Sequence, residues 1–313
     1  MIHNIPGDTG GNWRWDKLID MCRQEEVMHD DPSPSMVLAL WANQYHLSDI
    51  QKTWLSVLYG LTYSTTSAIF IFRNFPSLQK VNEARLSLFW KLNKNNMYFN
   101  RDRRYIKSND QFIPSIMSIK NIYGSSLKLY SELISKTDEE VYQIIVKRWK
   151  YFGRHAAFLF FDAYSKMLHN GICSLSSIDN WREAYTIAEG LALAVYDDEL
   201  YMRCCNKRIT AEDTVKLDSL VDKIIHDVGK PFNDIESTIC AYTKAFKGTR
   251  YLGYYIDRFQ EELAQCSILP KDIEILYELR KKVTPEMYLG ECSGWRGIRK
   301  ENNKIWLNEG RFI

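Results

Sequence analysis

The densest chemistry in the chain lies at Met97–Lys107, MYFNRDRRYIK, where three arginines, one lysine and one aspartate stand among three aromatic side chains. Arginine presents a planar fork of donors that suits a carboxylate or a phosphate. So much positive charge between two core-forming segments needs something to pair with. That is either an acidic group or helix C-terminus of the protein itself, or a phosphate-bearing ligand, and spacing alone favours the first. Two further stretches carry groups able to move a proton. Along Arg154–His169, helical periodicity puts Ala157, Phe160, Phe161, Tyr164 and Leu168 on one side. His155, Asp162 and Lys166 fall on the other, with Phe158 and Leu159. A carboxylate among phenylalanines is desolvated and poised for proton transfer. An Asp162–Lys166 pair one turn apart on a wet face explains the same residues. Along Arg250–Cys266, Leu252, Ile256, Phe259 and Leu263 form a buried stripe, with Arg250, Tyr254, Asp257 and Glu261 opposite, as a solvated face or as the wall of a cleft.

Other common chemistries lack their motifs. The chain has no GxxxxGK[ST], no GxGxxG after a strand, no GxSxG, no HExxH and no Cys/His metal spacing. No metal site is expected.

The elements that must position these residues read as helices almost throughout, because apolar residues recur at helical spacing and Pro and Gly are sparse. Helices are predicted over Trp13–Met28, from Ser35, and over Leu78–Asn93. Ser48 with Gln51 reads as a capping box opening one long helix to Phe72, which Pro76 stops. Asp110–Ser135 reads as helical with an interruption at Gly124, and Thr137 with Glu140 starts Asp138–Tyr151. Then come Arg154–His169, Ile178–Tyr196, and Ala211–Val228 opened by Thr210 with Asp213. A helix capped by Asn233 or Asp234 runs to Phe246, a Lys247-Gly248-Thr249 hairpin leads to Arg250–Cys266, and Pro270–Lys282 is the last. Residues 1–11 read as a tail and 291–313 as irregular. With no linker or repeat, the expectation is an all-α fold in one multi-helix domain, residues 1–313.

With 313 residues, 45% apolar and 26% charged, the composition is that of a soluble globular protein. The net charge of +2 supplies no whole-molecule field toward nucleic acid, so such binding must come from local clusters. Seven scattered cysteines without a CxxC pair point to a reduced, cytoplasmic protein. The start shows no signal-peptide pattern. The apolar run Ile50–Phe75 is broken by Gly60, Ser64–Ser67 and Arg73, which argues for a core segment and not a membrane span.

Three stretches, WLSVLYGLTYSTTSAIFIFRNFP (54–76), FNRDRRYIK (99–107) and FKGTRYLGYYIDRFQEEL (246–263), resemble the amino acid:DNA transferases of bacteriophages. These are all-helical proteins distantly related in fold to helix–hairpin–helix DNA glycosylases. The resemblance implies thymine hypermodification. A kinase converts 5-hydroxymethyluracil in DNA to its pyrophosphate ester, and the transferase replaces pyrophosphate with an amino acid such as glycine or serine. The implied partners are double-stranded phage DNA carrying the modified thymine and a free amino acid, in the host cytoplasm. No cofactor is called for beyond a divalent cation that could escort the pyrophosphate.

Loss of pyrophosphate needs arginines preorganised around the departing charge. The attacking amine needs a proton acceptor, and reaching the base calls for flipping and aromatic stacking. On this resemblance Arg101, Arg103, Arg104 and Lys107 hold pyrophosphate and DNA backbone, with Asp102 orienting them or binding the ammonium. Arg250, Tyr254, Asp257 and Arg258 form the opposite wall, with Asp257 or His155 as base. Arg103→Ala or Arg104→Ala is expected to cut transfer with little loss of fold. The rival readings are a glycosylase-like protein that excises or recognises a modified base, and a non-catalytic helical adaptor.

Overall fold

The computed structural model describes residues 8–29, 33–100, 103–168, 185–246 and 250–284. Among the described residues every regular element is helical, as periodicity predicts. In chain order the α-helices are α1 (Gly11–Met28), α2 (Ser33–Gln44), α3 (Asp49–Thr62), α4 (Thr65–Asn74), α5 (Glu83–Asn93) and α6 (Arg104–Ser108). Then follow α7 (Phe112–Tyr123), α8 (Ser126–Ile134), α9 (Asp138–Arg148), α10 (Arg154–Leu168) and α11 (Tyr185–Ala194). The last are α12 (Asp198–Cys205), α13 (Ala211–Val228), α14 (Phe232–Phe246), α15 (Tyr254–Gln265) and α16 (Ile273–Val283). None of them is long and apolar enough to cross a membrane.

The chain divides into two compact units, and the boundary falls inside α15, between Asp257 and Arg258. In the first unit α11 packs against α1, α12, α13 and α14. Ile187, Ala188, Leu191 and Ala192 are fully buried there. The approach is close at Gly190, where a Cβ would lie 2.5 Å from the Ile239 carbonyl oxygen.

The second unit is organised around α3, whose residues Thr53–Thr62 are all buried, and which packs against α4, α8 and α10. Gly60 lets α10 come in, since a Cβ there would stand 2.9 Å from the Ala156 carbonyl oxygen and 3.2 Å from Phe160 Cβ. Aromatic rings fill the surrounding core: Trp90 stacks on Phe112 at 4.4 Å, and Trp149 meets Phe152 and Phe160 edge-on.

Local signals set most helix ends. The boxes Ser48/Gln51, Thr137/Glu140 and Thr210/Asp213 all form, and Gly229 closes α13 at φ 73°. Four expectations need correction. The long helix from Ser48 to Phe72 is two helices: Tyr63 turns left-handed at φ 49° and Ser64 caps a new helix. Leu78–Asn93 opens with a 3-10 turn, Leu78–Lys80, and α5 starts at Glu83 behind the Asn82 cap. In α10 Leu159 is buried with Ala156 and Ala163 and does not share the polar side with His155, because α3 and α2 cover two faces of the helix. The helix expected from Arg250 begins at Tyr254. The 247–249 hairpin, Arg101, Asp102, His169, the 291–313 segment and most of the 1–11 tail lie outside the described residues.

Gly60→Ala is expected to lower stability by about 1–3 kcal/mol through overpacking against α10. Gly153→Ala, where a Cβ meets nothing within 4 Å, is expected to stay within about 0.5 kcal/mol of the parent in urea unfolding.

Candidate functional site

The break between α3 and α4 lies in the interior of the second unit, so its backbone groups must find partners there. Four carbonyls end α3 and four N–H groups begin α4, and charged side chains answer both. At the α3 end, Arg103 Nε donates to the Leu61 carbonyl at 3.1 Å and the Asn100 N–H to the Thr62 carbonyl at 3.3 Å. At the α4 start, Glu262 Oε1 accepts from the Thr66 N–H at 2.7 Å and from Ser64 Oγ at 2.8 Å, while Ser64 Oγ accepts from the Ser67 N–H at 3.1 Å. A cation at a C-terminus and a carboxylate at an N-terminus each oppose the partial charge of the helix end.

Burial sets the protonation of this centre. Glu262 is 4% exposed, and burial pushes its carboxyl up to about 7. The bonds from Thr66 and Ser64 and the charge of Arg258 pull the other way without cancelling that effect. Beside it stands Tyr98, whose backbone carbonyl accepts from Ser67 Oγ at 2.6 Å. Burial, together with the charge of Glu262, pushes the Tyr98 phenol up to about 12. The guanidinium groups of Arg258 and Arg104 act on the same hydroxyl in the opposite sense. The Tyr98 hydroxyl and Arg258 Nε are buried atoms that find no hydrogen-bond partner among the described residues.

The basic stretch divides in two. Arg103 is 2% exposed, with its guanidinium turned inward: Nη2 donates to the Tyr151 carbonyl at 3.2 Å and Nη1 to the Tyr105 hydroxyl. Desolvation lowers its pKa. Lys107 donates to the Met97 and Asn95 carbonyls at 3.0 and 3.3 Å. Both side chains close backbone ends, which is the plainer of the two explanations for this charge. The expectation that Arg103→Ala spares the fold therefore needs correction, because the substitution strips the donor from the buried Leu61 carbonyl and empties the space of a buried side chain. Arg104 is exposed.

On α15, Arg258 Nη1 pairs with Glu261 at 2.6 Å. His155 is exposed, with its ring edge-on to Tyr63 at 5.8 Å, next to the break. Arg250, Tyr254 and Asp257 belong to the first unit. There Arg250 lies over the Tyr254 and Tyr255 rings and donates to the Tyr255 hydroxyl at 2.7 Å. Asp257, expected on the exposed stripe, is 2% exposed and accepts from the Tyr251 hydroxyl at 2.9 Å. The turn ahead of α15 brings Tyr251 over it.

Glu262, Tyr98, Ser64 and Thr66 were not singled out by the sequence reading. A signal existed: Ser-Thr-Thr-Ser inside an apolar run is a cap pattern, and such a start in the core needs an acceptor. Among the described residues no group of His, Cys, Asp and Glu could hold a metal ion. No protein-family model, curated protein or solved structure matches the chain.

Two outcomes follow from these placements. Arg103→Ala is expected to cost about 2–4 kcal/mol in urea unfolding, because the buried Leu61 carbonyl loses its donor and a large buried side chain is removed, and exposed Arg104→Ala less than about 0.5 kcal/mol. Glu262 holds its proton up to about 7 in the folded chain, against 4.5 for an ordinary glutamate. Between those values the folded state binds the extra proton. The stability Glu262 contributes is thus full below pH 4.5 and lost as pH rises through 7, about 3 kcal/mol in all. The unfolding free energies of wild type and Glu262→Gln are expected to diverge by this amount from pH 4.5 to 8. Parallel profiles would show the carboxyl to be ordinary.

Proposed function

We propose that this protein transfers an amino acid onto thymine-derived bases in DNA, displacing pyrophosphate from 5-pyrophosphomethyluracil. One observation carries the reading. The three stretches that resemble bacteriophage amino acid:DNA transferases contribute groups to the single junction between α3 and α4. The first supplies Ser64 and Thr66, and the third Glu262. The second adds Arg103 on the Leu61 carbonyl and Asn100 on Thr62. Segments far apart in the chain thus meet at this junction, where Glu262, Arg258 and Arg104 all act on the Tyr98 hydroxyl.

The chemistry fits these groups. Departing pyrophosphate develops negative charge on oxygen, which Arg104, open to solvent, and Arg101, three residues earlier, are of the right type to stabilise. Arg103 and Lys107 support the site by closing backbone ends. A carboxylate that binds a proton near neutral pH suits an amine nucleophile, which must lose a proton before it attacks.

Incubation with kinase-treated 5-hydroxymethyluracil DNA and single amino acids, followed by nucleoside mass analysis, tests the reading. A mass gain of one amino acid residue with loss of pyrophosphate is expected, reduced at least tenfold in Arg104→Ala at unchanged stability. Free base released without mass gain would instead favour excision, and unchanged DNA a non-catalytic role.

A further inference from the structure

We propose that Tyr98, Arg258 and Glu262 form a subsite for a free α-amino acid, its carboxylate held by Arg258 and the Tyr98 hydroxyl and its ammonium by Glu262. The choice of ligand rests on the transferase reading, but the recognition is argued from the groups themselves. An α-amino acid at neutral pH is a zwitterion with its two charges one carbon apart. It needs a fork of donors for the carboxylate and an acceptor for the ammonium.

Arg258 and Glu262 are one turn apart on α15 and so lie on the same side of that helix. Two buried donors, Arg258 Nε–H and the Tyr98 hydroxyl, find no hydrogen-bond partner among the described residues, and unmet buried donors are uncommon in a folded chain. A carboxylate between them satisfies both. On Glu262, Ser64 Oγ and the Thr66 N–H both donate to Oε1, which holds the carboxyl in place on the same side of α15 as Arg258. Arg258 keeps its Nη1 on Glu261 and has Nε left for the carboxylate. The charged and titratable groups acting here are Tyr98, Arg104, Arg258, Glu261 and, one turn along α15, Cys266.

The proton and electron accounting of the transfer closes with this arrangement. Glu262 takes one proton from the bound ammonium. The freed amine nitrogen attacks the methylene carbon. The C–N bond forms as the C–O bond to pyrophosphate breaks, and pyrophosphate leaves with the bonding pair. The secondary ammonium product stays protonated, and Glu262 returns its proton to water. Arg104 and Arg101 are then the cations left for pyrophosphate, and Glu262 takes the place offered above to Asp257 or His155.

Calorimetric titration of the full chain with glycine, serine, ethylamine and acetate tests the subsite without DNA. Glycine or serine is expected to bind, and ethylamine and acetate, each with half the recognition elements, at least tenfold more weakly. Tyr98→Phe keeps the ring in place and is expected to weaken amino-acid binding roughly tenfold or more, the worth of one hydrogen bond to a charged group. Arg258→Gln and Glu262→Gln are expected to weaken it further, with melting curves confirming the fold. Absence of binding by any amino acid at millimolar concentration, or equal affinity in Tyr98→Phe and wild type, would overturn the proposal. Binding without transfer in the nucleoside assay would uphold the subsite and remove the transferase reading. Transfer with an unchanged amino-acid KM in Tyr98→Phe would do the reverse.

Discussion

Where α3 gives way to α4 inside the second unit, two helix ends face each other across two residues, Tyr63 and Ser64. Such a junction is ordinarily solvated; here it is enclosed, and each unsatisfied backbone group would cost about 1–3 kcal/mol. Arg103 reaches the Leu61 carbonyl at the end of α3, and Glu262 reaches the Thr66 N–H at the start of α4. Both side chains arrive from elsewhere in the chain, so the junction ties α15 and the 97–107 segment to the centre of the unit. Its charges oppose the helix dipoles but are poorly hydrated, which is why Arg103 is lowered and Glu262 raised from their ordinary values.

The same enclosure that makes the junction expensive gives it chemical use. In water a glutamate is ionised well below neutrality and is a weak base. Buried between a helix start and a tyrosine, Glu262 binds a proton near pH 7, where an amine nucleophile has to be relieved of one. The basic side chains nearby fall into two sets with different work. Buried Arg103 and half-buried Lys107 hold carbonyls, while Arg104 is open and Arg258 keeps Nη1 on Glu261 with Nε unfilled.

Much of the helical frame was readable in advance because its signals are local. Ser48 with Gln51, Thr137 with Glu140 and Thr210 with Asp213 each close a hydrogen-bond ring within four residues, and the stripe Leu252, Ile256, Phe259, Leu263 needs only helical periodicity. The break at Tyr63 was missed because the residues on either side are apolar and the deciding partner, Glu262, is remote in sequence. Asp257 was misread for a related reason: periodicity placed it opposite the stripe, whereas Tyr251 folds back and covers it. Charge type was legible in the 97–107 segment, but direction was not. Adjacent arginines on a short helix point to different surroundings, and nothing in Arg103-Arg104 says which of the two turns inward.

The claim on which the rest stands is that Glu262 is a buried carboxyl sharing its proton with solvent near neutral pH. Carbon-13 NMR of the side-chain carboxyl, assigned by comparison with Glu262→Gln, reads that proton directly. A titration midpoint close to 7 is the result this account requires. A midpoint near 4.5, the value of a glutamate in water, would contradict it and leave the junction a structural clasp with no part in proton transfer.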